Sequence, residues 1–134
     1  MAVVVSPSGA RCLELPGRRA WAIFDADGGS ASSTVRIVEI APDTPGAPQR
    51  GPHVHDGFEE CIHVLSGTGA TVTDNGEFPV GPGDTVLVPA GERHATRNTG
   101  TDVLRLLCFF PVGDIRPGTR EFPSWDGTGD AADA

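Results

Sequence analysis

The chain has 134 residues, enough for one domain with a single hydrophobic core and no need of covalent staples. Ten basic residues stand against eighteen acidic ones, a formal net charge of −8 that argues against nucleic acid or an anionic membrane as partner. Both of those reward clustered positive charge. No apolar run approaches the ~20 residues of a membrane span.

From the N-terminus, Met1 to Gly9 has no basic stretch followed by an apolar core, so no signal peptide is expected. Residue patterns predict strands over 11–15, 21–25, 33–41, 59–65, 70–74, 85–88 and 103–110. Turn chemistry separates them: Asp27-Gly28-Gly29, Ser66-Gly67, Asn75-Gly76, Gly81-Pro82-Gly83 and Asn98-Thr99-Gly100. Asp74-Asn75-Gly76 reads as a tight hairpin, since its central residues tolerate positive φ. The stretch 42–52 is a Pro/Gly-rich loop, and 113–134 is a Gly-, Pro- and Asp-rich tail whose last dozen residues are expected to be mobile. No segment carries a sustained helical period, and eighteen glycines with twelve prolines would break one. The fold class is therefore all-β, a sandwich or barrel of short strands. Three cysteines (Cys12, Cys61 and Cys108) without CxxC spacing suit free thiols in a reducing cytoplasm.

Chemistry concentrates in two blocks. His53 and His55 share one face of an extended segment, because side chains alternate with period two, and Glu60 follows five residues after His55. His94 arrives on a later strand behind the turn Pro89-Ala90-Gly91. Three imidazole nitrogens and one carboxylate oxygen are donors for a divalent first-row metal, and they leave one or two positions open, as in a working site. Any one of these histidines alone would read as a loop or turn residue. Glu59 competes for the carboxylate position, but Glu60 has the strand parity of Ile62 and Val64 and is preferred. His63 and Cys61 have the opposite parity and read as structural, and Cys108 reads as core. Arg36, Arg93, Arg97 and Arg105 are candidates for holding an acidic substrate by bidentate contacts. Phe24, Phe109, Phe110, Trp21 and Trp125 either wall a pocket or fill the core.

The spacing resembles the two signature motifs of the cupin superfamily. The second, Gly-x5-Pro-x-Gly-x2-His-x3-Asn, is matched by Gly83, Pro89, Gly91, His94 and Asn98. The first is matched at His53, His55, Glu60 and Gly67. It departs at its opening glycine, where the spacing points to Ala47 and Gly46 lies one residue early. The resemblance implies a single-domain jelly-roll barrel (a double-stranded β-helix) over about 33–111, preceded by N-terminal strands in 1–32 and followed by the tail 112–134. It implies His53, His55, Glu60 and His94 as metal ligands, with iron first and zinc, nickel or manganese as alternatives, and a homodimer formed by barrels back to back. The activity it implies most directly is an iron-dependent dioxygenase or oxidoreductase acting on a small organic metabolite such as an enol or diketone. Redox-neutral isomerase, cyclase, decarboxylase or lyase chemistry is the second reading, and a non-catalytic binding barrel the third. The chain has no tyrosine, which excludes a Cys–Tyr crosslink and a tyrosine acid or base. Proton transfer is left to Glu59, His63, Asp56, a group behind the ligands or metal-bound water.

Overall fold

The computed structural model describes residues 1–47 and 50–126 in full and the backbone of 132–133. Its strands in chain order are β1 (Arg11–Leu15), β2 (Arg18–Phe24), β3 (Thr34–Ile40), β4 (His53–His55), β5 (Glu60–Ser66) and β6 (Gly69–Thr73). They continue as β7 (Gly76–Val80), β8 (Thr85–Val88), β9 (His94–Asn98), β10 (Leu104–Phe110), β11 (Thr119–Glu121) and β12 (Ala132–Asp133). Two six-stranded sheets face each other in the orders β1-β2-β3-β10-β5-β8 and β12-β11-β4-β9-β6-β7. Described pairings are antiparallel, with β3 and β10, distant in sequence, paired over Thr34 to Ile40. This is a jelly roll, an arrangement that encloses its core between two sheets.

Alternation builds that core. On β5, Glu60, Ile62 and Val64 are buried while Cys61 and His63 are half-covered; on β10, Leu104, Leu106, Cys108 and Phe110 point inward. Ala20 and Val38 join them from β2 and β3, and Val88 from β8. The inward positions on β5 and β10 are registered directly, Ile62 with Cys108 and Val64 with Leu106. A one-residue slip would turn the whole set to solvent, so burial itself holds the register.

Two glycines of the motifs have a visible cause. Gly67 sits at φ +85°, and a Cβ there would lie 2.6 Å from the Val103 carbonyl oxygen. Gly91 sits at φ +81° and its N–H donates to the His55 carbonyl over 2.8 Å, which ties the Pro-x-Gly turn of the second motif to the end of β4. Side chains other than glycine rarely adopt either conformation.

The structure departs from the predicted elements in places. β2 starts at Arg18, three residues before the pattern suggests, because it pairs residue for residue with β1. The β6–β7 hairpin turns on Asp74 and Asn75, with Gly76 taking the positive φ inside β7. β7 itself, with Pro79 inside it, lies at a sheet edge, where a missing N–H leaves no ladder bond unmade. β11 lies beyond the predicted barrel and pairs with β4, setting Glu121 opposite His53 and Thr119 opposite His55. The expected mobility of the last dozen residues falls mostly on 127–134, outside the described residues apart from the backbone of 132–133.

Candidate metal centre

β4 contributes His53 and His55, β5 its first residue Glu60, and β9 its first residue His94. His53 and His94 are directly registered across β4 and β9, which brings their rings to 4.2 Å between centroids. One donor atom from each of the four residues lies within 4.8 Å of all the others. His55, Glu60 and His94 are buried, at 3%, 5% and 1% exposure. Glu59 is exposed, lies just before β5 and takes no part in the group.

Hydrogen bonds on the far side of two rings decide where their protons sit. Thr119 Oγ1 donates to the Ile115 carbonyl over 2.6 Å, which uses its only proton. At 2.8 Å from that oxygen, His55 Nδ1 must therefore be the donor, so the neutral ring has a bare Nε2. His94 Nδ1 lies 3.0 Å from the Glu92 carbonyl, which only accepts, so Nε2 of the neutral His94 ring is bare as well. Both bare nitrogens face one oxygen, Glu60 Oε1, at 3.3 Å for His55 and 3.0 Å for His94. Lone pairs pointing at lone pairs repel, and His55 Nε2 is buried with no hydrogen-bond partner among the described residues. A shared cation removes the conflict, and imidazole with carboxylate is the donor set divalent transition metals take.

The ionisation states agree. Burial, reinforced by the Arg50 guanidinium, holds His53 well below its ordinary value, so its ring is neutral. Burial favours the neutral Glu60 carboxyl, and hydrogen bonds donated by His55 and His94 would be needed to bring it to about 2; with both Nε2 atoms bare, that role falls to a bound cation. Neutral imidazoles and an ionised carboxylate are the ligating forms.

The four residues form part of the wall of a cavity of about 390 Å³ between the sheets. Its apolar lining includes Leu13 and Leu15 from β1, Ile40 from β3, and Leu106 and Phe110 from β10. Phe58 stacks on His55 at 5.3 Å between centroids and meets Phe110 edge-on, so one side of the imidazole cluster is hydrocarbon. Cys108 also lines the cavity, and burial followed by the Glu60 charge pushes its thiol well above the ordinary value.

Other candidates divide sharply. Of the four arginines suggested for an acidic substrate, Arg36 alone lines the cavity. Arg93 pairs with Asp74, Arg97 with Asp43 and Glu77, and Arg105 with Glu39. Of the five aromatic candidates, Phe110 alone is in the wall. His63 bonds Thr85 on the outward row of the first sheet, Asp56 pairs with Arg120, and neither they nor Glu59 line the cavity. Arg18, Arg50, Thr119 and Glu121, which sequence reading missed, are brought in by β2, β11 and the loop before β4. Arg50 reaches 3.2 Å from Glu121 Oε1 and 3.3 Å from His53 Nδ1. Burial, and then the neighbouring Arg50 charge, pull Arg18 down to about 10.

The cupin-domain family model matches residues 37–110, more than half of the chain, and the chain belongs to the cupin family. It is 28% identical to the polyketide cyclase RemF from Streptomyces resistomycificus, with a TM-score of 0.72 over 94% of this chain and 89% of that one. Protein SchB of Streptomyces halstedii is 31% identical over 88 residues, 66% of this chain and 62% of that protein. The alignments span 45% and 62% of the lengths of the curated relatives the chain matches. Streptomyces Pac13, a nucleoside dehydratase, shares the fold at TM-score 0.75 and 13% identity, covering 92% of this chain and 93% of its own.

Proposed function

We propose that this cupin is a metal-dependent enzyme acting on a small organic metabolite by redox-neutral chemistry of the cyclase or isomerase kind, with His53, His55, Glu60 and His94 as the ligands. The observation that carries the reading is the convergence of two bare imidazole nitrogens on one buried carboxylate oxygen in the wall of a substrate-sized cavity. A cyclase similar over nearly the full chain favours redox-neutral chemistry over oxidation.

A divalent ion held there would supply Lewis acidity to an enol or ketone oxygen. The chain's own residues do the rest. Thr119 and the Glu92 carbonyl hold two rings in their ligating tautomers. Phe58 and Phe110 keep water from one flank, which strengthens every charge interaction in the site. Cys108 stays protonated beside Glu60 and presents no competing thiolate. Among the cavity-lining carboxylates, Glu121 is the one outside the ligand set, and it holds Arg50 beside the His53 ring.

The same donor set suits iron, so dioxygenation remains the second reading. Metal content of protein purified without an affinity tag, followed by turnover of enol and diketone substrates under strict anaerobiosis, separates the two. Product formed without dioxygen by the zinc-loaded protein supports the first reading; activity only with iron and measurable oxygen uptake replaces it with the second.

We also propose a homodimer. The outward face of the first sheet exposes Leu65, Leu87 and Phe109, on adjoining strands, and covering them would bury apolar surface. A monomer at micromolar concentration in sedimentation would refute it. The three free thiols fit a reducing cytoplasm as the place of action.

A further inference from the structure

The cavity carries a charge opposite to that of the protein. All ten basic residues are arginine in a chain of net charge −8, yet the cavity wall holds Arg18, Arg36, Arg50 and Arg116 against Glu60 and Glu121. Eight of the ten arginines have a carboxylate oxygen at 3.9 Å or closer. Arg19, on the surface, lies over the Trp21 ring. Arg36 is the exception: no hydrogen bond or ion pair holds it among the described residues, and its Nε is shut off from solvent with no partner. Among the described residues, a chain with nearly two acids for each arginine leaves one of its four cavity-lining arginines unpaired.

Leaving a guanidinium half-buried and unmatched costs stability, and burial pulls Arg36 below its ordinary value for that reason. The fold imposes this position. Arg36 has the inward parity of Thr34 and Val38 on β3 and lies opposite Cys108, which in turn lies opposite Ile62 on the strand that begins with Glu60. Two strand spacings, about 10 Å, separate the Arg36 and Ile62 backbones. An elongated ligand would have its acidic group at β3 and its other end at the imidazoles, with Leu106 and Phe110 along the hydrocarbon between them.

We propose that Arg36 is the anchor for a carboxylate on the substrate, so that the cavity takes acidic molecules with a body of one or two rings. This rests on the metal-dependent reading for the ligand's other end, but Arg36 belongs to a different strand and acts without the metal. A planar guanidinium binds a carboxylate through two parallel hydrogen bonds, a geometry that a neutral ester does not reproduce.

The test uses 1-hydroxy-2-naphthoate and its methyl ester, titrated calorimetrically into metal-free and zinc-loaded protein. The acid is expected to bind at least about tenfold tighter than the ester in both forms. Arg36→Leu should erase the preference while leaving ester affinity in place, and should raise the thermal midpoint of the ligand-free protein by removing an unmatched charge. Arg36→Gln, which keeps length and polarity, should erase the preference too and serves if the leucine variant does not fold. Equal binding of acid and ester, binding of neither, or a preference that survives in the neutral variants overturns the proposal. A preference abolished by metal removal and not by the variants would place the acid at the metal and overturn the anchor, with the metal-dependent reading intact. Failure to take up zinc, with the Arg36-dependent preference retained, would sink that reading and leave the anchor standing.

Discussion

The two ends of β9 handle buried polar groups in opposite ways. At its C-terminal end, Asn98 is 1% exposed and every part of its amide is used. Its Nδ2 donates to the Ile40 and Asp102 carbonyls at 2.8 and 2.7 Å, and its Oδ1 accepts from the Gly100 N–H at 2.9 Å. At its N-terminal end His94, equally buried, aims a bare nitrogen at a carboxylate oxygen that His55 also faces. One end ties β9 to the end of β3 and to the loop before β10, and the other borders a cavity. Both residues belong to one motif, so the motif does not tell structure from chemistry. Saturation of the hydrogen bonds does: a finished network holds the fold, and an unfinished one in a cavity wall marks where something else binds.

The widest gap between the two ends should come from removing a donor. Glu60→Ala is expected to weaken metal affinity more than 100-fold, since losing a group behind a ligand already costs 10–100-fold. Elemental analysis should then fall from about one metal per chain to near zero. Glu59→Ala, on the exposed neighbour, should keep the metal; reversed effects would reassign the ligand. At the other end Asn98→Ala strands two carbonyls and one N–H and should cost about 3 kcal/mol in urea unfolding, with metal content of the folded protein unchanged. A loss below about 1 kcal/mol would mean that water replaces the amide and the end is less closed than its hydrogen bonds indicate.

The sequence alone spoke clearly about one of these ends. Two-residue alternation located β5 and β10, and the spacing of His53, His55, Glu60 and His94 singled out the four residues the fold brings together. What stayed hidden was set by pairing between distant strands. Thr119 reaches His55 across β11 and β4, and Glu121 lies opposite His53, in a Pro/Gly-rich tail with no local strand pattern. Polar β9, with the sequence His-Ala-Thr-Arg-Asn, was expected from the motif and not from its alternation. Arg18 and Arg36 did leave a trace: each has the inward parity of its strand, alongside Ala20 and Val38. A charge at an inward position of an otherwise apolar row is the signal that would have found Arg18 and would have set Arg36, already a candidate, apart from Arg93, Arg97 and Arg105.

A smaller effect should come from the group behind the ligand. Thr119→Val keeps shape and burial but removes the oxygen that takes the His55 Nδ1 proton. The bare Nε2 is then no longer enforced, and zinc affinity measured against a competing chelator should fall about tenfold. Thr119→Ser, which restores the hydroxyl, should recover most of it. A valine variant that binds zinc as the native protein does would show that Phe58 and Phe110 alone orient the ring, and that the tautomer argument carries no weight.

The smallest effects belong to the arginines on the surface, which set the scale for Arg36. Arg93 holds Asp74 through two hydrogen bonds at 2.6 and 2.8 Å, and that bonding keeps the Asp74 carboxyl below its ordinary 3.8. A carboxyl lowered in the folded state lends stability above its unfolded value and loses it as pH falls through the folded one. Any contribution from this pair is therefore constant at neutral pH and declines only as pH falls below about 4. Asp74 is 46% exposed in its side chain, so solvent and salt screen most of the attraction. Asp74→Asn should leave the urea midpoint at neutral pH within error and slightly flatten its fall in acid, and added salt should do the same to the native protein. Arg93→Gln should likewise leave the acid-over-ester preference untouched. If it abolished that preference as the neutral Arg36 variants do, net charge and not the unpaired guanidinium would be selecting the ligand.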